Sequence, residues 1–381
     1  MTTRRPRILH AHSTFDLGGK EARAVALINA FGDAYAHDIV SADAGALGAA
    51  RLIDPGIDVR LMPPEVPPLE GWPSVKRWRA LADAIRGYDL LLTYNWGSMD
   101  AVMANRLFAG IPHVHHEDGF NSDEVEGQKL KRVIFRRLAL AKTQRLVVPS
   151  RNLERIASTV WRQPAARITY VPNGIDMALF ESTPAPDAIP GFTRRPGETI
   201  VGTLAGLRAV KNLPRLVRAF ATAARGVEAR LVIVGSGSDE AVIRSEAARL
   251  GIADLLVLPG FLPHPHRYVG LFDIFALSSD SEQFPISLVE AMAAGLPVVS
   301  TDVGDVREIL SPENRPFLAA PADEAALAAH LETMIAARAL RAMAGAANRA
   351  RVATEFSHAR MVASYRAIYE DGLASATRAG G

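Results

Sequence analysis

The chain has 381 residues, of which 49% are hydrophobic and 22% are charged. This composition predicts a globular protein of two or three domains and argues against a disordered chain. Lys and Arg number 43 against 41 Asp and Glu, and a net charge of +2 is too balanced for a dedicated nucleic-acid binder. The absence of cysteine excludes disulfides, cysteine nucleophiles, cysteine zinc sites and iron–sulfur clusters.

The sequence also bears on membrane segments. It has no run of 18 apolar residues, which is the length that a membrane-spanning helix requires. The basic start Met1–Arg7 is followed only by Ile8–His12, which is too short for the apolar region of a secretory signal. We therefore expect a cytoplasmic protein whose contact with a membrane, where it occurs, is peripheral.

Short apolar runs alternate with helical patterns through the first 150 residues. The predicted strands are Arg7–Ala11, Asp38–Val40, Val59–Met62, Leu90–Thr93, His113–His115 and Leu146–Pro149. A Gly18-Gly19 turn and a helix over Glu21–Phe31 follow the first strand. This alternation predicts an α/β fold whose parallel sheet is covered by helices on both faces.

The same alternation resumes after a proline-rich stretch. Pro184, Pro186, Pro190 and Pro196-Gly197 predict a linker over 181–197 between an N-terminal domain, 1–180, and a second domain, 198–356. The strands predicted beyond it are Thr199–Leu204, Leu231–Val234, Leu255–Leu258, Ile274–Leu277 and Val298–Thr301. The helices predicted beyond it are Leu213–Ala224, Asp239–Leu250, Pro285–Ala294, Ala322–Ala347 and Ser357–Asp371. We expect a disordered tail over 374–381.

The strongest chemical signal lies between Ser278 and Val299. A predicted strand ends at Ser278, a polar loop carries Glu282, and a helix that begins at Pro285 carries Glu290. The backbone N–H groups at the start of that helix are free to bind an anion. A carboxylate accepts hydrogen bonds from two vicinal hydroxyls, so Glu290 suits a ribose and Glu282 a second polyol. The alternative is that both glutamates are ordinary solvated residues.

Several motifs together resemble one known family. Glu282 and Glu290 form an E-x7-E pair that is followed by the string Ala-Met-Ala-Ala-Gly-Leu-Pro. The other matching segments are Gly18-Gly19, Val171–Asp176, Thr301–Ile309 and Phe356-Ser357 with Met361 and Tyr365. Over nearly its whole length the chain is similar to the retaining GT-B glycosyltransferases of family 4. The resemblance implies two Rossmann-like domains that face a central cleft, a nucleoside-diphosphate sugar as donor, retention at the anomeric carbon, and no required metal or cofactor. It also implies that a last helix, 357–373, returns to the N-terminal domain.

The resemblance implies roles for individual residues. Glu290 is expected to hold the ribose hydroxyls, Glu282 to lie beside the donor sugar, and Lys211 to clamp the diphosphate. Gly206 stands where the family has a second cation, and Arg208 is the nearest candidate to replace it. The further donor-site candidates are Gly235, Phe261, Phe284, Pro285, Ile286, Gly18 and Gly19.

A polar cluster ends the fifth predicted strand of the N-terminal domain. His113, His115 and His116 are followed by Glu117 and Asp118. The alternation of side chains along a strand places His113 and His115 on one face and His116 on the other, which disfavours a metal site. The resemblance implies that His116 or Asp118 lies beside the reacting sugar, and both are catalytic candidates. The alternative is a polar loop that caps the next helix.

Residues 129–145 hold seven Lys or Arg and no acid, with apolar residues at helical spacing. This pattern predicts a cationic amphipathic helix that lies on an anionic membrane surface, or a helix that packs on the sheet. The function that we expect is transfer of a hexosyl unit to a hydroxyl acceptor, a glycan or lipid-linked glycan precursor in polysaccharide or cell-envelope biosynthesis. The alternatives are a nucleotide-sugar epimerase of the same fold and a non-catalytic nucleotide-sugar-binding protein.

Overall fold

The computed structural model describes residues 4–72, 74–120, 124 and 127–379. The chain divides into two compact units. Unit 1 contains Met1–Asn173 and Met361–Gly381, and unit 2 contains Gly174–Arg360. The division falls at Gly174, so the proline-rich segment 181–197 forms the irregular first part of unit 2.

Unit 1 is built on a seven-stranded parallel sheet with the order β3-β2-β1-β4-β5-β6-β7. Its strands are β1 (Arg7–His12), β2 (Ala36–Ser41), β3 (Val59–Leu61), β4 (Leu90–Tyr94), β5 (His113–His116), β6 (Arg145–Val148) and β7 (Ile168–Tyr170). Its helices are α1 (Gly19–Phe31), α2 (Val75–Ile85), α3 (Met99–Ala104), α4 (Leu130–Ala139) and α5 (Arg151–Thr159), together with α12 (His358–Ala379) from the end of the chain. The strand order reverses between β1 and β4, where a doubly wound sheet has its binding crevice.

Alternation along the strands divides the core of unit 1 into layers. Ile8 on β1 packs with α1 and with Tyr365 of α12, whereas Leu9 packs on the opposite face of the sheet. Both faces are covered by helices, which explains why strands such as β4 are buried along their whole length.

Unit 2 repeats this architecture with six parallel strands in the order β10-β9-β8-β11-β12-β13. Its strands are β8 (Thr199–Leu204), β9 (Ala229–Val234), β10 (Leu256–Gly260), β11 (Ile274–Leu277), β12 (Val298–Thr301) and β13 (Leu318–Ala319). Its helices are α6 (Leu213–Ala223), α7 (Glu240–Arg249), α8 (Ile286–Ala293), α9 (Val306–Ile309), α10 (Glu324–Ala336) and α11 (Arg338–Glu355). The order reverses between β8 and β11. The predicted class, two doubly wound Rossmann-like domains, is confirmed.

Some helices differ from the sequence predictions. The single helix expected over Ala322–Ala347 is two helices, because Ala337 leaves the helical conformation at φ −108° and ψ 81°. The last helix runs to Ala379, so 374–379 is helical where we expected a disordered tail. The helix expected over 129–145 ends at Ala139, and β6 begins at Arg145.

No helix in the described ranges combines the length and the apolar character that a crossing of the membrane requires.

Candidate active site

Lys211 and Glu282 meet at the point in unit 2 where the strand order reverses. Lys211 follows β8 and Glu282 follows β11, and these two strands pair directly. The Nζ of Lys211 lies 2.5 Å from Oε1 of Glu282. The hydroxyl of Ser279 donates a second hydrogen bond to the same oxygen at 2.7 Å. The two candidates that the sequence placed 71 positions apart therefore form one charged pair.

A small polar pocket opens beside this pair. It is lined by Thr203, Leu204, Ala205, Lys211, Leu213, Leu277, Ser278, Ser279, Glu282 and Ser287. The pocket lies at the carboxyl ends of β8 and β11, which is the edge at which open α/β sheets bind ligands. Its cation, carboxylate and hydroxyls suit a polar ligand with phosphate and sugar groups.

A network that the sequence did not reveal fixes the backbone around Lys211. Asn212 caps α6 from a left-handed conformation at φ 43°, and its amide donates to Asp280 at 3.1 Å. The hydroxyl of Ser278 donates to the carbonyl oxygens of Lys211 and Asn212 at 3.0 Å. Arg215 pairs with Asp280 at 2.7 Å. The available sequence signal was an Asn directly before a helix with Pro in its first turn.

Gly304 holds the backbone of the Glu282 loop. Its φ is 55°, and a Cβ at this position would lie 2.2 Å from the carbonyl oxygen of Glu282. The N–H of Asp305 donates to the carbonyl of Gln283 at 3.2 Å. Only a glycine permits this close approach, so Gly304 in the Thr301–Ile309 motif supports the position of Glu282.

Glu290 lies on α8 and is partly buried. Its carboxylate forms no hydrogen bond with any residue that the structure describes. Burial raises the pKa of Glu290 to about 7. Burial and the nearby Glu290 carboxylate also raise the pKa of the Tyr268 hydroxyl. A partly buried carboxyl group that has no partner among the described residues is available to accept hydrogen bonds from a ligand.

The first turn of α8 differs slightly from the prediction. Pro285 is the cap residue, with an extended ψ of 104°, and the helix begins at Ile286. The side chain of Phe284 is 8% exposed and packs on Phe356 at a ring distance of 5.8 Å. Phe284 therefore belongs to the core. Only backbone N–H groups around Ile286 remain to meet an anion, as the sequence suggested.

The remaining donor-site candidates of unit 2 lie at strand ends. Gly235 has φ 153°, and a Cβ at this position would lie 1.8 Å from the carbonyl oxygen of Ala205. A glycine is therefore needed for the chain to pass this close to the backbone that follows β8. Phe261, directly after β10, is 65% exposed. Arg208 is also exposed, and its Nε lies 3.4 Å from a Cβ built on Gly206. The arginine side chain thus extends over the residue where the family's second cation is missing.

In unit 1, Asp118 lies directly beyond β5 and is held by Arg23. The guanidinium Nη1 and Nη2 of Arg23 bond the two carboxylate oxygens at 2.5 and 2.8 Å, and Nη1 also bonds Oδ1 of Asn173 at 3.0 Å. The N–H of Asp118 donates to Oδ1 of Asn95 at 2.8 Å. Arg23 gave no sequence signal, because it lies in the middle of an ordinary amphipathic helix.

The histidines of β5 are buried on both faces of the sheet. His113 and His115 contact the Thr93 hydroxyl at 2.7 Å on one face, as their alternation predicted. His116 is 1% exposed on the other face, and its ring nitrogens contact the Thr93 carbonyl and the Tyr369 hydroxyl at 3.2 Å. In the described part of the chain no three His, Asp or Glu side chains are arranged as a metal site. Both catalytic candidates, His116 and Asp118, are thus held by hydrogen bonds within unit 1, and their catalytic roles stay predictions.

The glycine pair of unit 1 opens a helix, as expected. Gly18 is the extended cap residue and α1 begins at Gly19. The adjacent Lys20 donates to the carbonyl of Thr14 at 2.8 Å and pairs with Glu21. The loop between β1 and α1 is thereby closed by its own side chains.

Two doubly wound units with a charged pocket at a strand-order reversal define the GT-B class of fold. HepE from Anabaena, solved with UDP, matches 96% of this chain and 100% of its own at a TM-score of 0.80 and 18% identity. A sucrose-phosphate synthase from Thermosynechococcus elongatus matches 97% of this chain and 100% of its own, with a TM-score of 0.76 and 21% identity. At these identities the likeness shows the fold.

Family models match both units. The model "Glycosyltransferase Family 4" matches residues 17–179, and the model "Glycosyl transferases group 1" matches residues 187–351. The chain belongs to the group 1 glycosyltransferases with the GT-B fold.

Three curated relatives match parts of the chain at 26–30% identity. N-acetyl-alpha-D-glucosaminyl L-malate synthase of Bacillus anthracis is 28% identical over 46% of this chain and 46% of its own length. Putative glycosyltransferase EpsF of Bacillus subtilis is 30% identical over 52% of this chain and 53% of its own length. The chain thus spans about half the length of these two relatives. D-inositol 3-phosphate glycosyltransferase of Segniliparus rotundus is 26% identical over 77% of this chain and 69% of its own length.

Proposed function

We propose that this chain transfers a hexosyl unit from a nucleoside-diphosphate sugar to a hydroxyl acceptor, with retention at the anomeric carbon. The observation that carries the proposal is the pairing of Lys211 with Glu282 beside a polar pocket. Glu290, on the helix that follows the Glu282 loop, adds a carboxylate with no hydrogen bond to any described residue. HepE, which shares the fold, has been solved with UDP and with UDP-glucose.

Each residue has a chemical role in this proposal. Glu290 accepts hydrogen bonds from the two ribose hydroxyls, and Lys211 neutralises the charge that develops on the leaving diphosphate. Arg208 supplies the second cation, and the N–H groups at the start of α8 bind a phosphate oxygen. Glu282 orients the sugar, and the departing diphosphate accepts the proton of the acceptor hydroxyl.

The acceptor that we propose is a glycan or a lipid-linked glycan precursor. EpsF is a putative glycosyltransferase, and the amylovoran biosynthesis glycosyltransferase AmsK of Erwinia amylovora is 37% identical over 33% of this chain. The name of another relative includes the small molecule L-malate. The names of the relatives therefore differ more in the acceptor than in the reaction class.

The test begins with binding and proceeds to turnover. A panel of nucleoside diphosphates and their hexose derivatives is screened for thermal stabilisation, starting with the uridine compounds. A ligand at about 100 times its dissociation constant should stabilise the protein by about 2.7 kcal/mol. Failure of every compound to stabilise the wild type would contradict the donor assignment.

The donor identified in this way is then incubated with and without a glycan acceptor. Transfer to the acceptor, with the anomeric configuration of the product read by NMR, is the expected result. Isomerisation of the donor without an acceptor would indicate an epimerase instead, and binding without any turnover would indicate a sensor.

A further inference from the structure

Helix α4 of unit 1 exposes an apolar row. Leu130 is 70% exposed, Ile134 46% and Leu138 51%. These residues are spaced by four positions, so they lie along one side of the helix over roughly 12 Å. The side that packs on the protein holds Val133, Arg136 and Ala139 instead. The apolar row that the sequence pattern assigned to either the sheet or a membrane is thus on the outside.

A buried cation explains this orientation. Arg136 is fully buried, and its two terminal nitrogens lie 3.2 Å from the carboxylate oxygens of Glu124. Its guanidinium also lies 5.0 Å from the ring of Trp96 and 5.1 Å from that of Trp161. The ion pair and the aromatic contacts satisfy a charge that could not otherwise be buried. Arg136 is therefore a core residue, which corrects its assignment to the cationic face of the helix.

Cations that remain exposed border the apolar row. Lys131 and Lys142 are exposed and form no ion pair with any residue in the described ranges. Lys142 lies in the short 3-10 turn Leu140–Lys142 that directly follows α4. Arg106 donates a hydrogen bond to the carbonyl of Leu138, which brings the neighbouring Leu107, 49% exposed, to the same region. The sequence has no acid between 129 and 145.

We propose that this surface docks unit 1 reversibly on an anionic lipid bilayer. We name it the α4 surface and define it as Leu107, Leu130, Lys131, Ile134, Leu138 and Lys142. The apolar side chains enter the boundary between head groups and acyl chains, and the lysines bind the anionic head groups. A second copy of this chain fits less well, because a two-fold contact would bring the unpaired lysines of both copies together.

The proposal deepens the proposed function, because it names the surface at which the protein would reach a lipid-linked acceptor. It rests on the proposed function only for the assumption that the acceptor is lipid-linked. Docking itself is measured without donor, acceptor or turnover. The two proposals can therefore fail separately.

The first experiment measures co-sedimentation with vesicles of phosphatidylcholine alone and of phosphatidylcholine mixed with phosphatidylglycerol. The wild type should bind the mixed vesicles and bind less as salt is raised, because head-group attraction is screened. The double variant Lys131→Gln and Lys142→Gln should bind about 25-fold more weakly, roughly fivefold for each lysine. The matched control, Arg225→Gln and Arg338→Gln, removes the same charge from exposed positions of unit 2 and should bind like the wild type.

The second experiment tests insertion of the apolar row. The natural chain has no cysteine, so an Ile134→Cys variant can be labelled at one position with an environment-sensitive fluorophore. Its emission should shift to the blue on mixed vesicles. The same label on Val242→Cys, at a position 55% exposed in unit 2, should not shift.

Absence of binding to mixed vesicles, equal binding by the lysine variant, or an unshifted probe at position 134 would each overturn the proposal. A concentration-dependent dimer that forms without lipid and is lost in Leu130→Gln with Leu138→Gln would overturn it in favour of a second copy. Nucleoside-diphosphate affinity is measured in every variant and should be unchanged. If the protein binds nucleotide but does not dock on vesicles, only the docking proposal is contradicted. If it docks but does not bind nucleotide, only the donor-site proposal is contradicted.

Discussion

The ammonium group of Lys211 lies 2.5 Å from Oε1 of Glu282, so the cation proposed for the donor's diphosphate is already paired with the carboxylate proposed for its sugar. Both side chains are largely buried, at 19% and 9% exposure. A bound diphosphate would have to share Lys211 with Glu282 or displace it. The Glu282 carboxylate thus holds the Lys211 side chain in a fixed orientation.

This pairing predicts opposite effects for its two members. Glu282→Gln removes the competing charge, so a nucleoside diphosphate should bind as tightly as to the wild type or more tightly, while sugar transfer slows. Lys211→Met should weaken the same binding by about 1.5–3 kcal/mol, the typical loss of a hydrogen bond to a charged group. Isothermal titration with the diphosphate checks both variants.

The matched control for Glu282→Gln is Asp280→Asn. It removes a charge from the same loop, but its contacts are with Asn212 and Arg215 rather than with Lys211. Tighter binding by Asp280→Asn to the same degree would show a general charge effect. Weaker binding by Glu282→Gln would contradict the competition between carboxylate and diphosphate.

Glu290 should make nucleotide binding depend on pH. Burial raises its pKa to about 7, whereas two ribose hydroxyls are best accepted by the ionised carboxylate. Affinity should therefore increase as pH rises through about 7, and decrease by up to about tenfold per pH unit below it. Titrations of the wild type and Glu290→Gln across this range provide the measurement.

The phosphates of the ligand also titrate near this pH. The Glu290→Gln variant separates their contribution to the pH dependence of binding from that of Glu290. The variant should bind more weakly at high pH and should retain only the ligand's own pH dependence. Parallel pH profiles for the two proteins, or equal affinity at high pH, would remove the ribose assignment.

Unit 1 should lose stability in acid. Burial lowers the pKa of His10, His12, His113 and His116 well below the ordinary value, and lowers that of His37 to about 4. Unfolding exposes these groups, so below pH about 6.5 the unfolded chain binds more protons than the folded one. The free energy of unfolding should therefore decrease as the pH is lowered, by up to about 1.4 kcal/mol per pH unit for each histidine.

Denaturant unfolding followed by tryptophan fluorescence measures this effect selectively. All four tryptophans of the chain lie in unit 1, at positions 72, 78, 96 and 161. Neither ring nitrogen of His12 has a hydrogen-bond partner among the described residues, so His12→Leu should reduce the pH slope without lowering stability near neutral pH. A slope equal to that of the wild type would exclude His12 from the effect.

Transfer should continue after treatment with EDTA. Lys211, Arg208 and the first turn of α8 can supply positive charge at the diphosphate without a metal ion. The assay compares turnover before and after chelation and after addition of Mg²⁺. Complete loss that Mg²⁺ restores would contradict a metal-free mechanism.

The α/β class and most of the strands could be read from the sequence, which also marked the E-x7-E segment as the candidate site. These features depend on local patterns: apolar runs, turn residues, and a carboxylate pair on one loop and helix. The three-residue strand β7 and the two-residue strand β13 gave no such pattern and were missed. The resemblance added the roles of Lys211 and Glu290, which remain predictions.

Which distant residues meet depends on the tertiary structure. Lys211 and Glu282 form a pair because β8 and β11 are neighbours in the sheet, although two other strands separate them in the sequence. The contacts of His116 with Tyr369 of α12 and of Asp118 with Arg23 of α1 likewise join distant parts of the chain, and no local pattern indicates them. The outward apolar row of α4 follows from a buried Arg136–Glu124 pair, because the cost of an unpaired buried charge exceeds that of exposing a few apolar side chains.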